Sequence, residues 1–143
     1  MSALTHIHSG LRWIVLLLVV FAIVNAFMKR DAYTKKDKMV NLFAMLSLHI
    51  QLLIGLVLYF SSSKVQFFSG FMKSEMYRFY GMEHFVGMLL AILVITIGRK
   101  KAENKPLAQD KHKAIKIYYI IGLVLILAFI PWPFRESLGG AWF

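Results

Sequence analysis

Four stretches of this chain stay apolar for long enough to cross a bilayer as helices: roughly Leu4–Met28, Met39–Phe60, Tyr77–Gly98 and Ala114–Phe134. A hydrocarbon core of about 30 Å is crossed by about 20 helical residues, and a helix satisfies the backbone groups that lipid cannot. The runs leave little of the chain over. Its 143 residues are 59% hydrophobic and 17% charged, at a mean hydropathy of +0.63, more apolar than a water-soluble domain requires. The expectation is an all-α bundle of four transmembrane helices forming one domain over residues 1–143.

The first run has no basic region before it and no small-residue cleavage site after it, so it is expected to remain in the protein rather than act as a secretory signal. The chain has no cysteine, which excludes disulfides, iron–sulfur ligation and a Cys-x-x-Cys-His attachment of covalent haem. Histidine, methionine and carboxylates remain as metal ligands. The eight methionines are scattered and read as core filling.

A net charge of +10 raises nucleic acid as a partner, but the distribution of charge follows a membrane instead. Twelve of the seventeen basic residues fall in two groups. Lys29, Arg30, Lys35, Lys36 and Lys38 separate the first two spans; Arg99, Lys100, Lys101, Lys105, Lys111, Lys113 and Lys116 surround the third connection. Arg12, Lys64, Lys73, Arg78 and Arg135 belong to the opposite side. The positive-inside rule therefore predicts both termini and the Ser61–Met76 connection outside, with the lysine-rich loops touching anionic lipid. Pro131 and Pro133 around Trp132 predict the end of the fourth span. His112, among lysines, is expected in a solvated loop, and the tail Glu136–Phe143 is left open between a loose end and a docking segment.

Within the third run lies Tyr80-Gly81-Met82-Glu83-His84-Phe85-Val86-Gly87-Met88. An ionisable residue inside a span is costly without a partner, so His84 is a candidate site. Gly81, Gly87 and Ala91 give its helix a face that a flat group or another helix can approach closely. His8 and Arg12, four apart, share a face of the first span. The first and third spans run parallel, and His8 and His84 are predicted at similar depth. Two imidazoles facing each other across a bundle are the arrangement that axially ligates a haem iron. His8 and His84 are accordingly the candidate metal ligands of a b-type haem, with His6 and His49 as secondary candidates. Arg12, Arg78 and Arg135, all on the outer side, are candidates to pair its propionates.

At these residues the sequence resembles small bacterial cytochrome b-like membrane proteins and, more distantly, one half of the haem A synthase bundle. In that family a histidine near the outer end of one helix, a Gln-x-x-x-Gly helix and a histidine in the next helix surround a haem. The matching positions are His8, Gln51 with Gly55, and His84. The resemblance implies a haem site to which Gln51 and Gly55 also contribute, in a multi-pass protein of the bacterial inner membrane; Gly87, on the small face of the His84 helix, is a candidate to accommodate the flat body of the haem. The catalytic half of the synthase has an acidic residue three positions before its first histidine, whereas Thr5 precedes His8 and Ala3 precedes His6 at that spacing. The resemblance therefore implies haem binding rather than porphyrin oxidation.

Three roles follow. Two histidine ligands leave no open iron position, which favours an electron-transfer or redox-partner subunit, working with a quinone or a membrane redox protein and compatible with an oligomer. A quinol oxidoreductase would use His49, Gln51 or Glu83 for protons. A haem-free structural or transport subunit would use its histidines as interhelical hydrogen bonds.

Overall fold

A computed structural model describes residues 2–28 and 31–143; Lys29 and Arg30 of the first basic group lie outside the described residues. The chain forms four helices long and apolar enough to span a membrane: α1 (Ala3–Met28), α2 (Lys35–Ser61), α3 (Glu75–Glu103) and α4 (Ala108–Phe129). Among the described residues there are no strands. It is a multi-pass membrane bundle.

The stripes that face inward obey helical spacing. On α1 the buried set is Arg12, Val15, Leu16, Val19, Ala22, Ile23 and Ala26, steps of three and four that place one face against the other helices. The α3 and α4 helices approach most closely because glycine on one meets a bulky side chain on the other. A methyl group on Gly98 would overlap Tyr118, and one on Gly122 would overlap Ile95. In lipid, where apolar side chains gain nothing by leaving the solvent, such close backbone contact drives association. The short turn between Glu103 and Ala108 keeps α3 and α4 antiparallel neighbours, and the Lys111 ammonium donates to the carbonyls of Ala102 and Glu103 at 3.3 and 3.0 Å, satisfying groups that the helix end leaves unpaired.

At the end of the bundle where α3 turns into α4, α4 begins at Ala108, not near Ala114, so His112 belongs to the helix and corrects the expectation of an exposed loop residue. It is 1% exposed. Its Nε2–H donates to the Ala32 carbonyl at 2.8 Å, and its ring lies 5.1 Å from that of Tyr33. The Tyr33 hydroxyl donates to Glu103 at 2.8 Å and accepts from Asn41 at 3.0 Å, while Tyr119 donates to the Asn41 carbonyl at 2.7 Å. Burial pushes the Tyr33 phenol above its usual range. A residue between lysines is thus buried because it ties the α1–α2 loop to α4.

At the other end Ile130 takes an extended conformation, as a residue before proline should, and α4 stops where the prolines demand. The chain then turns back. After a short helical turn, Glu136–Leu138, residues 139–143 cross this end of the bundle, beside the start of α1 and the α2–α3 connection. Both described ends of the chain therefore lie at one end of the molecule.

Candidate functional site

The buried stripe of α2 is narrow: Asp37, Asn41, Ala44 and Leu48. Past Leu48 the helix touches its neighbours through side chains, Gln51 and Gly55 against His8 and Tyr59 against Gly81 and Phe85, and a cavity of about 170 Å³ lies between α1, α2, α3 and the chain at and after the end of α4. His8, Arg12, Gln51, Gly55, Tyr80 and His84 all line it.

The two histidines meet in this cavity. Their ring centres are 6.3 Å apart with the planes at 79°. The His84 Nδ1–H donates to the Phe129 carbonyl at 2.7 Å, an acceptor freed where α4 ends, and this fixes the tautomer whose Nε2 carries the lone pair. His8 Nδ1 is buried without a hydrogen-bond partner. Its ring rests on Gly55, where an added methyl would come 3.2 Å from His8 Cε1, so glycine at this position lets the imidazole lie against the α2 backbone. The Gln51 amide donates to the His8 main-chain carbonyl at 2.7 Å. Gln51 and Gly55 thus set the position of His8 from one face of α2.

The turn before His84 is widened. Phe79–Glu83 is π-helical, and the His84 N–H reaches back five residues to Phe79; such insertions are frequent at functional sites. Tyr80 and His84 both face the cavity, while Glu83 turns to Arg78 at 2.8 Å.

The ring-centre separation of 6.3 Å is about that of two imidazoles sharing one ion, since two metal–nitrogen bonds of about 2 Å plus about 1 Å from each nitrogen to its ring centre total about 6 Å. Among the described residues no group of three or more His, Cys, Asp or Glu is arranged to hold a metal. Two histidines therefore suffice only where the ligand supplies the remaining donors, as a porphyrin does. The donor pair fits such a group. The present volume is below the roughly 300–1,000 Å³ of ordinary ligand pockets, so the cavity must widen to admit it.

The cationic side of the site differs from expectation. Arg12 lines the cavity, but Arg78 is paired with Glu83 and also donates to the Met72 carbonyl at 3.0 Å. Arg135 is paired with Glu75 at 3.0 Å. Neither lines the cavity, because each has a carboxylate of the α3 helix within reach. The second cation is Lys64, which sequence reasoning missed: it stands three residues past the end of α2, and nothing in a serine-rich connection shows which way it turns. Burial holds its ammonium below the usual lysine range.

Gly87 is also corrected. A methyl there would fall within the Phe129 ring, so this glycine admits a neighbouring helix rather than a cofactor. His6 is exposed, its Nδ1 at 3.3 Å from the Phe143 carbonyl. His49 lies on another face of α2 and donates through Nε2–H to Thr96 at 3.0 Å; the Thr96 hydroxyl proton is already committed to Ile92.

No protein-family model matches this chain, and comparison with curated proteins and with solved structures finds no match.

Proposed function

We propose that this chain is a b-type haem protein of the bacterial inner membrane that holds its haem between His8 and His84 and passes single electrons. The observation that carries this reading is the pair of imidazoles 6.3 Å apart in a cavity between membrane-spanning helices. A haem ligated by two histidines supplies reversible one-electron chemistry and offers no open position to oxygen or substrate. The protein's part is to hold the rings. The Phe129 carbonyl orients His84, Gln51 fixes the backbone of His8, and apolar walls including Met88 and Ile126 exclude water. The bacterial membrane rests on the family resemblance alone.

The alternative of a quinol oxidoreductase gains nothing from the geometry. His49, Gln51 and Glu83, its proton-handling groups, are bonded to Thr96, the His8 carbonyl and Arg78 respectively, three separate places. A second protein or a quinone in the bilayer completes the electron path.

Haem-replete expression followed by purification in detergent tests the reading. The expected result is a Soret band with the spectrum of a six-coordinate low-spin haem, lost in both His8→Ala and His84→Ala. A colourless wild-type protein, or variants that keep the wild-type spectrum, would remove the proposal.

A further inference from the structure

Four side chains around the mouth of the cavity donate to one short piece of chain. Arg12 Nη2 donates to the carbonyls of Ala141 and Trp142, each at 2.8 Å. Lys64 donates to the Gly139 carbonyl at 2.8 Å, the Tyr80 hydroxyl to Leu138 at 2.9 Å, and the Trp13 indole to Trp142 at 2.7 Å. Four of the five carbonyls between Leu138 and Trp142 are thereby engaged by side chains of α1, α3 and the α2–α3 connection. Gly140, in the middle, leaves no room for a side chain, because a methyl there would collide with the Pro131 carbonyl. Trp142 stacks on Trp13 at 6.2 Å.

Arg12 is 7% exposed, a buried cation with only neutral acceptors among its hydrogen-bond partners. Its Nε remains without a partner. A buried charge is normally matched by an opposite charge, and a guanidinium bonds carboxylate more strongly than carbonyl. The arrangement of Arg12, Lys64 and Tyr80 around the mouth is thus better suited to acid groups than to the peptide groups it now holds. The small volume of the cavity agrees: its outer wall includes Gly140 and Ala141, and a macrocycle enters only if a wall gives way.

We propose that residues 138–143 form a closing strap whose carbonyls stand in for the carboxylates of the ligand on Arg12, Lys64 and Tyr80, and that a dicarboxylate macrocycle displaces it on binding. The proposal rests on the haem reading for the identity of the ligand. The strap makes the free site self-satisfied, and it makes acid groups a condition of tight binding, because a ligand without them opens the strap and leaves its donors unpaired.

The chain has no cysteine, so Ala141→Cys provides a single thiol on the strap while leaving the main-chain carbonyl in place. Maleimide labelling of the purified protein in detergent is measured alone, with haemin and with haemin dimethyl ester, alongside the Soret absorbance. Haemin is expected to raise the labelling rate about tenfold or more, as loss of hydrogen bonds to charged donors implies, and the ester to bind at least about tenfold more weakly. A Soret band with unchanged labelling, or an ester that binds as tightly as haemin, overturns the strap and leaves the haem reading intact. If haemin gives no Soret band, the haem reading fails, and the strap is then decided without ligand: Arg12→Ala and Lys64→Ala must each raise labelling, and unchanged rates overturn it. Should Arg12→Ala fail to accumulate, Tyr80→Phe removes only the bond to Leu138 and is read in the same way.

Discussion

A histidine inside a bundle can spend its nitrogens on the protein or keep one for a ligand, and the five histidines here divide on that point. His49 and His112 are tied to Thr96 and to the Ala32 carbonyl, while His8 has no hydrogen bond to either ring nitrogen and His84 has one only at Nδ1. The difference predicts opposite phenotypes. His112→Ala removes the hydrogen bond from α4 to the Ala32 carbonyl, worth about 0.5–1.5 kcal/mol, and empties the space of a ring that is 1% exposed. The variant is expected to melt at lower temperature in detergent while keeping whatever Soret band the wild type shows; loss of the band at unchanged stability would contradict the assignment. The meeting of His8 and His84 was legible in the sequence, because spacing and depth along parallel spans are properties of the helices themselves. The burial of His112 was not, since its partner, Ala32, lies in a different loop 80 residues away.

Among the elements, α2 has two jobs along its length. Its N-terminal half is anchored: Thr34 caps the helix, its hydroxyl accepting from the Asp37 N–H at 3.4 Å while the Asp37 carboxylate accepts from the Thr34 N–H at 2.8 Å. Asp37, fully buried, also accepts from Asn25 of α1 at 2.8 Å. The other half of α2 forms a cavity wall through Gln51, Leu52, Gly55 and Tyr59. The start of α2 at Lys35, four residues before the expected Met39, follows from that cap, whose Thr-x-x-Asp pattern is a variant of the capping box. Thr34→Ala is expected to lower stability by about 1 kcal/mol, read as a shift in thermal midpoint, without change to His8 or Gly55 more than five helical turns away. A spectral change in the haem-loaded variant would show that the two halves of α2 are coupled. The four spans themselves were legible because each depends on its own composition. The cavity was not, because its lining comes from α1, α2, α3 and the chain at and after the end of α4 together.

For the molecule as a whole, the paired ends and the basic residues make one argument about orientation. His6, Arg12, Lys64 and Tyr80 all contact residues 138–143, so the α2–α3 connection and both described ends share one end of the bundle. The lysine-rich turn between α3 and α4 is at the other. Moving a cluster of lysines across lipid is costly, and the excess of Lys and Arg sets orientation when loops are short. The strap and the cavity mouth are therefore expected on the outer side of the membrane and the Tyr33–His112 knot on the inner side. Single cysteines in this cysteine-free chain test this directly. Ser63 and Asn104 are both exposed and lie at opposite ends; they bond the described residues through their main chain, Ser63 by its carbonyl to Gln66 and Asn104 by its N–H to Lys100. Ser63→Cys in intact cells is expected to react with a membrane-impermeant maleimide, and Asn104→Cys only after permeabilisation. The reverse pattern would invert the bundle and place the site mouth in the cytoplasm, where a carboxylate-bearing ligand would arrive without crossing the membrane.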